Sequence, residues 1–554
     1  MLTKYRVVTA AAVFFVLGAS AARAQTGDAR PNPCPATAAP FAAAATPHWN
    51  GWGADATQRR FQGAEGAKLT AAAVPRLALK WAFGFPKAQM AYGQPAVVGG
   101  RLFVGSADGT VYALDAETGC VHWTFKAGAP VRTAVSVGPI GAAWAVYFGD
   151  LEGHAYAVNA ANGTAVWKTR IDSHPAARIT GAPTLAGGRL YVPASSSEEG
   201  LAADGKYACC TFRGSLSALD AATGAVIWKT YTIPEEPKPT RKNRLGVQLT
   251  GPSGAAVWSS PTVDLDKGLV FVTTGDSYTD PAAATSDAFV AFDLKSGKLL
   301  WSRQITAGDA FTVDCDFPEA MRVNCPTPPG PDHDFGTSPI LVTLAGGRRL
   351  LIAGQKSGVV SAIDPDRQGA ILWQRTIGKG GRLGGIQWGL AADGQHVYAA
   401  VSDLEITAPP PGGEGGRPSV FGVPLMLNPK AGGGLYALDV TTGEIAWHTP
   451  HPGCGTTPGC SPAQSAATTV IPSVVFSGGL DGHLRAYDTK DGRVIWDADT
   501  VRPFQTVNGV DAKGGSLDGS GPVVVNGVVY VNSGYFFAGH TPGNVLLAFS
   551  IRQP

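Results

Sequence analysis

One short phrase recurs along this chain of 554 residues, and it restricts the possible folds more than any other feature. Its first copy is Ala113-Leu114-Asp115-Ala116-Glu117-Thr118-Gly119, followed by Trp123. It returns as Ala157-Val158-Asn159 with Gly163 and Trp167, and as Ala218-Leu219-Asp220 with Gly224 and Trp228. Further copies carry Asp293, Gly297 and Trp301; Asp364, Gly369 and Trp373; Asp439, Gly443 and Trp447; and Asp488, Gly492 and Trp496. Each reads as a strand, a tight turn and a second strand. The Asp or Asn side chain bonds its own downstream backbone, and the Gly accepts φ > 0. The Trp offers a large ring to pack between neighbouring units and an N–H that seeks a carbonyl. Two more strand-like runs precede each copy, in the first unit Pro95–Val98 and Arg101–Gly105. Four strands per unit make a propeller blade.

The two ends supply the missing unit. Val545–Ser550 is an inner phrase without its Trp strand, and Leu77–Phe83, with Trp81, is a Trp strand without its phrase. Pairing them predicts an all-β, eight-bladed propeller over residues 77–554, closed by its N- and C-terminal strands. Closure removes exposed sheet edges. Residues 25–76 are then an N-terminal extension packed on the ring. Successive Trp spacings are 42, 44, 61, 73, 72, 74 and 49 residues, so blades three to six carry the long loops. These run over about 193–213, 234–257, 306–335 and 404–433, and loops on a rigid scaffold are where binding resides.

The first residues have the pattern of a secretory leader: Lys4 and Arg6, an uncharged run from Val7 to Ala22, and the small-x-small site Ala22-Arg23-Ala24. Residues 1–24 are expected to be removed on export to the periplasm, leaving no membrane span. Loss of Lys4, Arg6 and Arg23 takes the formal charge of +2 to near neutrality. That gives no basis for a nucleic-acid partner. Export permits disulfides. Of the eight cysteines, Cys315/Cys325 and Cys454/Cys460 are spaced as loop staples, which leaves Cys34/Cys120 by elimination. The adjacent pair Cys209-Cys210 can close an eight-membered ring on itself, or each can pair elsewhere or stay free. No C-x-x-C-H haem motif, zinc spacing or G-x-S-x-G elbow occurs.

Several segments together resemble the pyrroloquinoline quinone (PQQ) dehydrogenases. In Ala208-Cys209-Cys210-Thr211-Phe212-Arg213-Gly214 the resemblance implies a vicinal disulfide over one face of the cofactor. His48-Trp49-Asn50-Gly51-Trp52-Gly53 resembles the opening of these enzymes, and Ala256–Pro261 the segment whose Trp, here Trp258, stacks under the quinone. Thr274-Gly275-Asp276 resembles a T-G-N segment that supplies a calcium ligand, with Asp in place of Asn. Ser195–Glu199 resembles the segment ending in a calcium-binding Glu: Glu199 aligns best and Glu198 is the alternative. Ala307-Gly308-Asp309 stands where the family has its catalytic Asp, so Asp309 is the implied general base and a metal neighbour. Gln355-Lys356-Ser357-Gly358 resembles the segment whose Lys reaches the quinone oxygens. Arg132 is a candidate partner for a cofactor carboxylate, and Trp388 a candidate pocket residue with a structural role as its alternative.

Within the superfamily, the cysteine segment, Asp332-His333-Asp334-Phe335-Gly336-Thr337-Ser338-Pro339 and Gly354–Gly358 are similar to the polyvinyl-alcohol dehydrogenases. The resemblance spans residues 48–554. It implies an alcohol oxidoreductase using PQQ and Ca²⁺, or a lanthanide in its place, on an alcohol substrate that can be polymeric. Electrons would leave to a separate cytochrome c. The competing expectation is a non-catalytic, protein-binding propeller scaffold of the cell envelope, because the same repeat occurs without chemistry.

Overall fold

The computed structural model describes residues 32–43, 48–407, 425–455, 457 and 459–552. The leader, 1–24, and part of the 404–433 loop lie outside these. Among the described residues, eight antiparallel sheets stand around a ring, each built on four strands. The first blade comprises Ala96–Val98, Arg101–Gly105, Thr110–Asp115 and Val121–Lys126. Leu77–Gly84 pairs antiparallel with Val545–Ile551, so both chain ends share the eighth blade. The four disulfides are Cys34–Cys120, Cys209–Cys210, Cys315–Cys325 and Cys454–Cys460.

The phrase is an inter-blade device. The Trp123 indole N–H donates to Ala160 O at 3.0 Å, one blade on, and Trp167 does the same to Ala221 O at 3.0 Å. Trp496 reaches Leu77 O at 3.1 Å across the closure. Beneath each ring but that of Trp496 sits the Gly of the next phrase. Gly163 has φ +73°, and a Cβ there would stand 2.6 Å from the Trp123 ring. The Gly is therefore required twice, for its left-handed backbone and for the close approach of the ring. A bulge before each Trp, as between Ala113 and Leu114, puts two residues of the Trp strand opposite one of the phrase.

Residues 49–62 cross the inner end of the ring and touch all eight blades. Trp49 bridges Val97, Asn50 pairs with Val137, and the Gln58 amide donates to Thr184 Oγ1 and Pro261 O. Backbone carbonyls of Thr57, Arg59 and Arg60 accept from Leu341, Ala392 and Val470, and Gln62 Nε2 donates to Val524 O. Arg60 is fully buried. Its guanidinium donates to Thr468 O, Trp52 O, Gln94 Oε1 and Thr469 Oγ1, and lies 4.8 Å from the Trp52 ring. Carbonyls and indole faces thus solvate a cation that has no carboxylate partner among the described residues. This segment plugs the ring and floors the space above it.

The double role of the phrase glycine is testable. Gly163→Ala and Gly188→Ala both place Ala at φ +73°, but nothing lies within 4 Å of the Gly188 Cβ position. Both should lose ~1–2 kcal/mol for the left-handed backbone. Gly163→Ala should lose about 1–3 kcal/mol more by displacing Trp123, as measured by denaturant unfolding.

Candidate active site

A cavity of about 240 Å³ opens on the ring axis above the plug. Its wall is built from loops that enter or leave the inner strands of several blades. Arg132 precedes the strand Ser136–Ile140, Trp258 precedes Thr262–Asp264, and Trp388 precedes Ala391–Ala392. Lys356 lies in the turn between Arg349–Gly354 and Val359–Asp364.

One side of the wall concentrates charge. Lys356 Nζ donates to Asp332 Oδ1 at 2.7 Å and to Asp334 Oδ2 at 2.9 Å. Asp334 Oδ1 accepts the Asp276 N–H at 2.6 Å. Carboxylate oxygens of Asp276, Asp332 and Asp334 lie within 4.8 Å of one another, and all three residues are buried. Glu199, Asp276 and Asp334 line the wall, with Asp332 behind them. Burial, reinforced by Asp334, pushes the Glu199 carboxyl up to about 7. Burial and the same neighbours hold Asp276 and Asp332 well above the usual carboxylate range, and Lys356 opposes this at Asp332. Asp276 Oδ2 is buried with no hydrogen-bond partner among the described residues. A buried oxygen left without a donor in a set of hard oxygens is what a bound cation would satisfy, so the donor set fits a metal.

The two consecutive glutamates divide their work. Glu199 faces the cavity. The Glu198 carboxylate, fully buried, accepts the Thr211 and Phe212 N–H groups at 2.9 and 2.7 Å and the Tyr207 hydroxyl at 2.9 Å. It thereby clamps the turn that carries Cys209 and Cys210. That disulfide is almost wholly buried, in one apolar cluster with Trp258, Tyr278 and Phe212, just behind the cavity wall. Asp309 also stands behind the wall. It is fully buried and accepts the Asp332 and His333 N–H groups at 3.1 and 2.7 Å, holding the turn that presents Asp332 and Asp334.

The wall beside these charges is aromatic. Trp258 meets Trp388 edge to face, with centroids 5.6 Å apart. Gly336 makes room for Trp258, since a Cβ there would lie 2.2 Å from its ring. The Lys356 ammonium is 5.6 Å from the Trp258 centroid, and the Arg132 guanidinium 4.7 Å from that of Trp388. A flat, anionic ligand would find one indole face and two cations here. The structure therefore brings Glu199, Asp276, Trp258, Lys356, Arg132 and Trp388 to one cavity, and puts Cys209, Cys210 and Asp309 one layer back. Reasoning from the sequence assigned no role to Asp332 and Asp334, although the D-H-D triplet was visible. It missed Tyr278, Asp518 and His540, also on the wall, entirely.

Residues 49–322 match the family described as glucose/ethanol/alcohol dehydrogenase, beta-propeller domain, and residues 356–553 match one described as outer membrane protein assembly factor BamB. A polyvinylalcohol dehydrogenase of Pseudomonas sp. is 45% identical over 524 residues, covering 91% of this chain and 77% of that protein. One from Sphingopyxis sp. (strain 113P3) is 41% identical, covering 94% and 78%. The quinohemoprotein alcohol dehydrogenase of Comamonas testosteroni superimposes with a TM-score of 0.65 at 20% identity, over 92% of this chain and 82% of that one.

Lys356→Met removes the ammonium that pairs with two buried carboxylates and should cost about 3–5 kcal/mol. Because Asp332 is held above its ordinary range, the folded chain binds more protons than the unfolded one. Stability therefore falls as pH rises through the raised value. The variant, lacking the opposing charge, should lose stability over a wider window toward high pH, read by thermal unfolding across pH.

Proposed function

This chain belongs to the PQQ-dependent alcohol dehydrogenases of the polyvinylalcohol dehydrogenase kind, and on that premise we propose that it oxidises secondary hydroxyl groups of polyvinyl alcohol, or a closely similar alcohol, in the periplasm. The observation that carries this reading is the convergence of Glu199, Asp276, Asp334 and Lys356 on one wall beside Trp258. Glu199 and Asp276 would hold a hard cation such as Ca²⁺, which would supply Lewis acidity, and PQQ would supply the hydride acceptor.

The chain's own residues do the rest. Trp258 offers the stacking face, backed by the apolar cluster that contains Cys209–Cys210. Lys356 and Arg132 answer negative charge on the cofactor, and Trp388 braces Trp258. A general base must reach the proton that it takes. Asp334 is on the wall, so in this reading its carboxylate accepts the alcohol's hydroxyl proton. Asp309, the candidate suggested by the sequence, then acts by fixing the Asp332–Asp334 turn through its two backbone hydrogen bonds.

Export is supported by the leader pattern of residues 1–24 and by four disulfides, which persist in oxidising compartments. Among the described residues, no helix is long and apolar enough to cross a membrane. In this reading the electrons leave to a separate cytochrome c.

The test is reconstitution of the purified chain with PQQ and Ca²⁺, following dye reduction with polyvinyl alcohol and a panel of small alcohols. Activity should require both additions. Asp334→Asn should lower kcat by about 10²–10⁴ with PQQ still retained on gel filtration, and Asp309→Asn should lower it less. Equal activity of Asp334→Asn and wild type would remove Asp334 from the role of base.

A further inference from the structure

One further carboxylate is buried near the charged wall, and the chemistry above does not use it. Asp287 stands just before the strand Ala288–Asp293 and is fully buried. Neither of its carboxylate oxygens has a hydrogen-bond partner among the described residues. Its backbone is tied down: its N–H donates to Gly275 O at 3.0 Å, and its carbonyl accepts the Ile305 N–H at 2.9 Å. Gly275 packs in turn on Asp334, since a Cβ there would lie 2.6 Å from Asp334 Oδ1. Burial, then the charges of Asp334, Asp309 and Asp332, holds the Asp287 carboxyl well above the usual carboxylate range.

A second unsatisfied group borders the same stretch of chain. Gln355 is fully buried, and its Oε1 accepts from Ser357 Oγ at 2.8 Å and from Thr306 Oγ1, next to Ile305, at 3.0 Å. Its Nε2 has no partner among the described residues. Half a turn of the amide would give Nε2 the two hydroxyl oxygens and free Oε1 to accept from or ligate something else.

The balance of charge points the same way. Asp276, Asp287, Asp309, Asp332 and Asp334 are all buried, with Glu199 beside them on the wall. Among the described residues, Lys356 is the one buried cation in ion-pair contact with this group. That ammonium and a divalent ion at Glu199 and Asp276 would together answer three of the six carboxylates. A buried carboxylate with neither donor nor counter-charge is unfavourable, and excess negative oxygen is what a hard cation selects.

We propose that Asp287 anchors a second site for a hard divalent cation of the Ca²⁺ class, distinct from the one at Glu199 and Asp276. Asp287 stands outside the Asp276–Asp332–Asp334 trio whose oxygens lie within 4.8 Å of one another, so one ion at that trio does not satisfy it. The second ion has a structural duty, balancing the carboxylates among which Asp309 fixes the Asp332–Asp334 turn. Its binding needs neither PQQ nor alcohol.

The test is equilibrium dialysis of the full, chelator-stripped chain against Ca²⁺, counting bound metal per chain and following thermal unfolding along the titration. Wild type should bind two ions, and Asp287→Asn and Glu199→Ala one each. Asn tolerates the φ of +48° at this position, and it removes an uncompensated charge. Asp287→Asn without Ca²⁺ should therefore unfold no lower than stripped wild type, and should gain less from added Ca²⁺. A single ion in wild type, lost in Glu199→Ala and kept in Asp287→Asn, would overturn the second site and leave the first standing, with Asp287 neutralised by a proton instead. Two ions retained in Asp287→Asn would overturn it as well. No ion in wild type would overturn both sites.

Discussion

Closure of the ring is the constraint on which everything else depends. The strand Leu77–Gly84 completes the sheet of Val545–Ile551, so two segments more than 460 residues apart in sequence make one blade. Without that pairing each end exposes a sheet edge, the Trp496-to-Leu77 hydrogen bond is lost, and the inner loops no longer face a common axis. The Trp-over-Gly contact found at six other junctions also joins this blade to the first. Gly119, of the first blade, would bring a Cβ to 3.1 Å from the Trp81 ring. The segment 49–62 reinforces closure from within, because a single stretch of chain hydrogen-bonds to the inner part of every blade and buries Arg60 at the centre.

A closed, plugged ring creates a place where charge is poorly hydrated, and the site uses that. Asp276, Asp332, Asp334 and Glu199 stand close together with Lys356 as their buried ammonium partner. Low hydration strengthens attraction for any cation or cationic group that enters, and it raises the proton affinity of Glu199, Asp276 and Asp332. Glu198 and Asp309 sit one layer back and spend their oxygens on backbone N–H groups. They fix the turns on which the wall residues ride. Function in this fold therefore depends on two shells of carboxylates with different duties.

Much of this was legible in the residues. The Gly and Trp of the repeat announced the blades because the turn needs φ > 0 and the ring needs a neighbour. The two half-phrases announced closure. Cys209-Cys210, Trp258, Asp276 and Lys356 were marked by motif. The order of the two glutamates was open in the sequence, because Glu198 and Glu199 are chemically identical and only the short helix Glu198–Leu201 sends one inward and the other to the cysteine turn. Asp309 and Asp334 are both loop carboxylates, and no local signal separates the one behind the wall from the one on it.

The sequence alone therefore determined the number of blades and their closure, because strand periodicity, turn stereochemistry and Trp packing act between residues close along the chain or repeat at a regular interval; it gave the class of chemistry only through its resemblance to a known family. Tertiary structure alone decided which carboxylates face the cavity, that residues 49–62 plug the ring, and that Asp518 and His540 line the same cavity as Lys356. These depend on loops from different blades meeting at one axis, and the distances between such loops are set by the ring as a whole.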